Sequence, residues 1–165
     1  MQQIMKEYRA YYNYLLNNGK MLWRDTKLGF WGKAVIDEVY ETFKNIKMQN
    51  YESFLDIGSG DGCVALVASL FTKSTGIEID KDLLIAGVNI RDRLGLSCSF
   101  INADFRHIDL NEYDVIFINP DMPFHRGLDS LFKNYKGNLI VYGKHFLPSF
   151  MRLKKDMKFV NIYQN

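Results

Sequence analysis

Apolar residues recur along this chain in two periods, and the places where one period gives way to the other mark out its elements. From Gln3 to Asn17, Ile4, Tyr8, Tyr11 and Leu15, with Met5, Tyr12 and Leu16 beside them, fall at spacings of three and four, which predicts an amphipathic helix closed by Asn17-Asn18-Gly19. Ala34 to Ile46 repeats the pattern, with Val35, Ile36, Val39, Tyr40, Phe43 and Ile46 on one side. Short apolar runs then alternate with helical spacing. The runs are Ser53 to Asp56, Thr75 to Asp80, Cys98 to Asn102, Tyr113 to Asn119 and Asn138 to Tyr142; the helices are Gly62 to Phe71, Lys81 to Leu94 and Leu128 to Tyr135. Phe105 to Glu112 has room for little more than one helical turn. Strands alternating with helices predict an α/β domain built on a parallel sheet. Lys158 to Tyr163 reads as a last strand, and Phe146 to Leu153 either pairs with it or leaves the pair incomplete. Gly19 to Lys33 follows neither period.

The first run continues as D-I-G-S-G-D-G from Asp56 to Gly62. Glycines at alternate positions (Gly58, Gly60, Gly62) between a strand and a helix start make a tight turn, where backbone at positive φ or against a ligand leaves no room for Cβ. Many nucleotide-binding units share that spacing, and the acids around it narrow the choice. Asp56 and Asp61 would repel a pyrophosphate but suit a ligand with an amine and a positive centre, as in S-adenosylmethionine. A plainer role for the pair is that Asp61 caps the helix and Asp56 braces the loop. Glu78 follows the first run by about twenty residues, where an acid can accept both hydroxyls of a ribose. Asp104, just past the third run, can take a hydrogen bond from an adenine amino group. These polar groups stand at the carboxyl ends of the strands, the edge where open α/β sheets bind ligands.

On D-I-G-S-G-D-G, G-I-E-I-D, N-A-D and N-P-D-M, the chain resembles the class I S-adenosylmethionine-dependent methyltransferases from about Leu22 to Tyr142. The resemblance implies one doubly wound α/β domain over residues 1–165, three-layered, with central strand order 3-2-1-4-5 plus a C-terminal edge strand. Residues 1–46 would form a helical extension with a covering loop, and residues 51–165 the Rossmann-like core. It further implies that Asp56, Gly58, Gly60 and Asp61 hold the methionine end of the cofactor, Glu78 the ribose, and Asp104 with Phe105 the adenine. N-P-D-M resembles the N-P-P-aromatic tetrad of enzymes that methylate amino groups conjugated to a ring or carbonyl. In that tetrad the Asn side-chain oxygen and the first Pro carbonyl accept the two amine hydrogens, and Asn119, which also borders the cofactor, and Pro120 match those positions. Asp121 replaces the second proline and Met122 the ring, so a flat stacking partner is lost unless Phe124 substitutes. Asp121 would instead take a proton or bind a cationic amine, as a lysine methyltransferase requires. A turn that merely ends a strand is the plain alternative.

Only Cys63 and Cys98 are present, without metal-ligand spacing, which favours a reduced, cytoplasmic setting and no metal. No apolar run approaches the roughly 18 residues of a membrane span, and no leader pattern opens the chain. The net charge of +2 conceals an uneven distribution. Residues 1–50 carry eight Lys/Arg against five acids, residues 51–130 six against thirteen, and residues 131–165 seven against one. The acidic middle suits a cationic cofactor, and the basic ends suit a polyanion or simply solubilise the surface. Within Gly19 to Lys33, Trp23, Phe30 and Trp31 interleave with Lys20, Arg24, Lys27 and Lys33, a composition that stacks a base, lines an amine channel, or pins a loop by its tryptophans. The expectation is therefore an S-adenosylmethionine-dependent methyltransferase acting on an amino group of RNA. A small single-domain protein lysine methyltransferase and a non-catalytic nucleotide-binding module are the alternatives. A macromolecular acceptor is favoured over a small molecule, and the sequence leaves the oligomeric state open.

Overall fold

The computed structural model describes residues 1–26 and 29–165; Lys27, one of the cations noted above, lies outside the described residues. The chain begins with helix α1 (Gln2–Asn17), a hairpin of β1 (Trp23–Thr26) and β2 (Gly29–Gly32), and helix α2 (Ile36–Asn45). It continues through β3 (Ser53–Ile57), α3 (Cys63–Ala68), β4 (Lys73–Glu78), α4 (Lys81–Leu94), β5 (Cys98–Asn102) and β6 (Val115–Ile118). The last elements are α5 (Leu128–Phe132), β7 (Asn138–Tyr142), β8 (Arg152–Asp156) and β9 (Val160–Gln164).

Seven strands form one sheet in the order β5-β4-β3-β6-β7-β9-β8. The first five pair in parallel in the predicted central order, and β9 runs antiparallel to both β7 and β8. Parallel strands covered on both faces should be apolar at consecutive positions rather than at alternate ones, and β6 (V-I-F-I) and the L-I-V of β7 are, whereas β4 (K-S-T-G-I-E) buries Ser74, Thr75, Gly76 and Glu78. Phe54, Val115, Phe117 and Ile140 point into a core shared with α1, α2, α3 and α4. Leu55, Ile57, Ile116, Ile118, Leu139 and Val141 point into a second core with α5. That second layer is thin, because residues 105–112 supply only two 3-10 turns, Phe105–His107 and Leu110–Glu112.

Helix α4 starts and stops where its sequence dictates. The Asp80 carboxylate accepts from the backbone N–H groups of Asp82 and Leu83, and Gly95 ends the helix in the left-handed region at φ 61°. Four expectations need correction. Both C-terminal edge strands exist, the second formed by residues 152–156 rather than 146–153; its side chains Arg152, Lys154 and Lys155 are exposed, the charge that guards an open sheet edge. The segment 19–33 contains a regular hairpin, hidden from the period because only four residues of each strand pair. Helix α3 stops at Ala68, where Leu70 and Phe71 donate to carbonyls three residues back and close it as a turn. Val35 lies before α2 and is 45% exposed, so it is not on the buried side.

Candidate active site

The turn after β3 is held in an unusual backbone conformation by its glycines. Gly58 and Gly60 have φ values of 66° and 54°, which residues with a Cβ rarely adopt. A Cβ on Gly60 would also lie 2.2 Å from Cδ1 of Trp31, so only glycine lets that indole rest on the turn. At Gly58 the corresponding space is open.

Two carboxylates are buried beside the turn. Asp61 is 2% exposed and accepts from the Tyr12 hydroxyl at 2.9 Å and the Cys63 N–H at 3.2 Å, while the Tyr8 hydroxyl donates to its carbonyl at 2.7 Å. Burial raises its pKa to about 6 even though the bonds from Tyr12 and Cys63 pull the other way. Asp56 is 3% exposed and is pushed well above the usual carboxylate range, chiefly by burial. Among the described residues its Oδ2 has no partner, an arrangement that costs free energy unless something donates to it. Tyr8 and Tyr12 are read from the sequence as packing residues; their hydroxyls in fact tie α1 to the glycine turn.

Glu78 sits at the tip of β4, 6% exposed, with Oε2 accepting from Gly60 N–H at 2.9 Å and Oε1 from Asp80 N–H at 2.8 Å. Its carboxylate is thus aimed before any ligand arrives. At the tip of β5, Asp104 accepts from the Arg106 side chain at 2.9 Å, which holds its pKa down at about 2. The sequence reading missed Arg106, although its position two residues after an acid at a strand tip is the available signal. Glu78, Asp104, Phe105 and Arg106 line one side of a cavity of about 320 Å³, and Asn119, Pro120, Asp121 and Met122 line the other.

The hairpin covers this cavity. On its inner side Trp31 is 7% exposed, and Arg24 donates through Nη2 to both carboxylate oxygens of Asp80 at 2.7 Å. Trp23 and Phe30, each 50% exposed, stack with centroids 5.7 Å apart, and Phe30 also lines the cavity. Phe30 N–H donates to Asp121 Oδ2 at 2.7 Å and fastens β2 to the loop after β6. Arg24 is therefore spent on Asp80, and Lys33 lies over the Tyr12 ring at 5.4 Å, so two of the expected cations face the body of the protein.

Asn119 follows β6 directly and lines three cavities: the one just described, a small acid-lined one of about 50 Å³ with Asp56, Asp61 and Trp31, and one of about 420 Å³ with Tyr142 and His145. It is the only described residue common to all three. Phe124 does not join it. That ring is 2% exposed and packs on Phe132 with centroids 6.1 Å apart, because the 3-10 turn Phe124–Arg126 directs it into the second core. As a stacking partner for substrate it is ruled out by burial.

No protein-family model and no curated protein matches the chain by sequence; the likeness is in the structure. An RNA methyltransferase from Salinibacter ruber in complex with S-adenosyl-L-homocysteine superposes with TM-score 0.62 at 21% identity, over 81% of this chain and 90% of that one. The magnesium protoporphyrin IX methyltransferase of Synechocystis PCC 6803 with bound SAM gives TM-score 0.57 at 12% identity, over 78% and 76%. The fold is that of the class I methyltransferases. In this methyltransferase fold the strand-tip acids, the glycine turn and Asn119 meet on one edge of the sheet, while Trp23 lines a separate cavity against α1 and α4. Among the described residues no helix is long and apolar enough to cross a membrane.

Proposed function

We propose that this protein is an S-adenosylmethionine-dependent methyltransferase whose acceptor is an amino group on RNA. The observation that carries the reading is Asn119, standing where an acid-lined cavity, a nucleoside-sized cavity and an open outer cavity meet. The residues present fit the cofactor. The unpartnered Asp56 Oδ2 and the buried Asp61 suit an ammonium, Glu78 suits the two ribose hydroxyls, and Asp104 with Phe105 suits an adenine edge and face.

Bound there, the cofactor supplies a methyl group on a sulfonium, a leaving group that needs no acid. What remains for the chain is alignment and exclusion of water. The Asn119 side-chain oxygen and the Pro120 carbonyl accept the two hydrogens of an amine and so aim its lone pair. The hairpin, fastened by Asp121 and by Arg24, closes the cofactor side. Asp121 takes part by holding Phe30, since one of its oxygens is already committed to that N–H. RNA is favoured by the exposed Trp23–Phe30 stack beside Lys20, by the basic ends of the chain, and by the Salinibacter ruber enzyme among the neighbours.

The test is labelled S-adenosylmethionine with fractionated cell extract, expected to label RNA. Label in protein would overturn the acceptor, and no label in any fraction, with no binding of the cofactor by calorimetry, would overturn the enzyme. RNA binding should also weaken steeply with salt, because contacts to phosphate release counterions.

A further inference from the structure

The loop after β6 has lost the aromatic ring that would lie flat on a planar acceptor, and Phe124 is buried away from it. The outer cavity, of about 420 Å³, nonetheless has aromatic walls. Its lining is Asn119, Pro120, Tyr142, Gly143, His145 and Phe146. Tyr142 ends β7, half-buried, and lines both this cavity and the acid-lined one behind it. Its ring is fixed at both ends: it packs on Phe117 with centroids 5.9 Å apart, and its hydroxyl donates to the Glu38 carboxylate of α2. A ring held this way loses little freedom on binding, so contact with it comes at low entropic cost. No carboxylate is among the described residues lining the cavity, so nothing in that lining pairs an ammonium.

Resting on the methyltransferase reading above, we propose that this cavity is the acceptor subsite, that its occupant is a planar ring bearing a neutral exocyclic amine, and that Tyr142, brought from the neighbouring strand, is the surface on which the ring stacks. Phe146 forms the second apolar wall. The missing aromatic at Met122 is replaced across the sheet, from the tip of β7.

The probe is 2-aminopurine riboside, a fluorescent planar amine quenched by stacking, titrated into protein saturated with S-adenosylhomocysteine. Wild type should quench it saturably, and n-butylamine, an ammonium without a plane, should not displace it. Tyr142→Leu should weaken binding about tenfold, the effect of losing one base-stacking ring, while Tyr142→Phe stays within about twofold. Binding of S-adenosylhomocysteine by calorimetry separates the two layers of the claim. If wild type fails to bind it, the methyltransferase reading and this inference fall together. If it binds but the riboside is not quenched, or n-butylamine displaces the riboside, or a cofactor-competent Tyr142→Leu binds it as wild type does, the inference alone is overturned. The wild-type arms do not depend on any variant folding.

Discussion

Replacing Asp61 by Asn removes a buried charge while keeping an oxygen that can accept from Tyr12. In the folded protein the Asp61 carboxyl rises from 3.8 to about 6, mainly through burial. A raised acid pKa means that the native state binds the proton more tightly than the unfolded chain, so stability falls as pH rises through that interval. Below about pH 4 the group costs nothing, and above about pH 6 the full penalty applies, roughly 3 kcal/mol for this interval. For a chain of this size that corresponds to a Tm change of roughly 6–12 °C. Differential scanning calorimetry without ligand should find wild type and Asp61→Asn close together at pH 4, with the variant pulling ahead up to pH 7. Asp56 is shifted in the same direction, in part by the Asp61 charge, so removing that charge also eases Asp56 and adds to the variant's gain. The cofactor should reverse the order. An ammonium favours ionised Asp61, so wild-type affinity should improve about tenfold from pH 5 to pH 7, and the variant should lose that dependence. Parallel Tm profiles for the two proteins would refute the assignment of the penalty to Asp61.

Three further outcomes are expected. Glu78→Ala removes the acceptor of the Gly60 and Asp80 N–H groups together with the ribose contacts, and calorimetry should find cofactor affinity reduced by about two orders of magnitude, charge-assisted bonds being worth about 1.5–3 kcal/mol each. Asn119→Ala should lower turnover in the labelling assay at least about a hundredfold, with cofactor binding unchanged within about threefold, since the lost contact is to the acceptor. Gly60→Ala meets both a positive φ and the Trp31 ring at 2.2 Å, and should lower stability by about 2–4 kcal/mol in urea denaturation and raise tryptophan emission as the indole is displaced.

Positions at the strand tips are legible in the sequence. The alternation of apolar runs and helical spacing yields the five parallel strands in their order, and Glu78, Asp104 and Asn119 stand at carboxyl ends as that order requires. Tyr142 has the same signal, being the last residue of β7, yet in N-L-I-V-Y it reads as one more apolar residue. What sequence spacing does not carry is contact between distant segments. The Tyr12–Asp61 bond spans 49 residues, Phe30–Asp121 spans 91, and Tyr142–Glu38 spans 104. Phe124 fails for the opposite reason: proximity along the chain to N-P-D-M suggested a shared site, and one short 3-10 turn sends its ring the other way.

The carboxylate that fastens β2 belongs to the same short loop as Asn119. Lifting the cover to exchange donor therefore has to break that bond or carry the rim with it, and either disturbs the seat of the acceptor. Steady-state kinetics should accordingly be ordered: donor loads first and its demethylated product departs last, inhibiting competitively against donor and noncompetitively against acceptor. Random addition of the two substrates would mean that the hairpin opens without the loop.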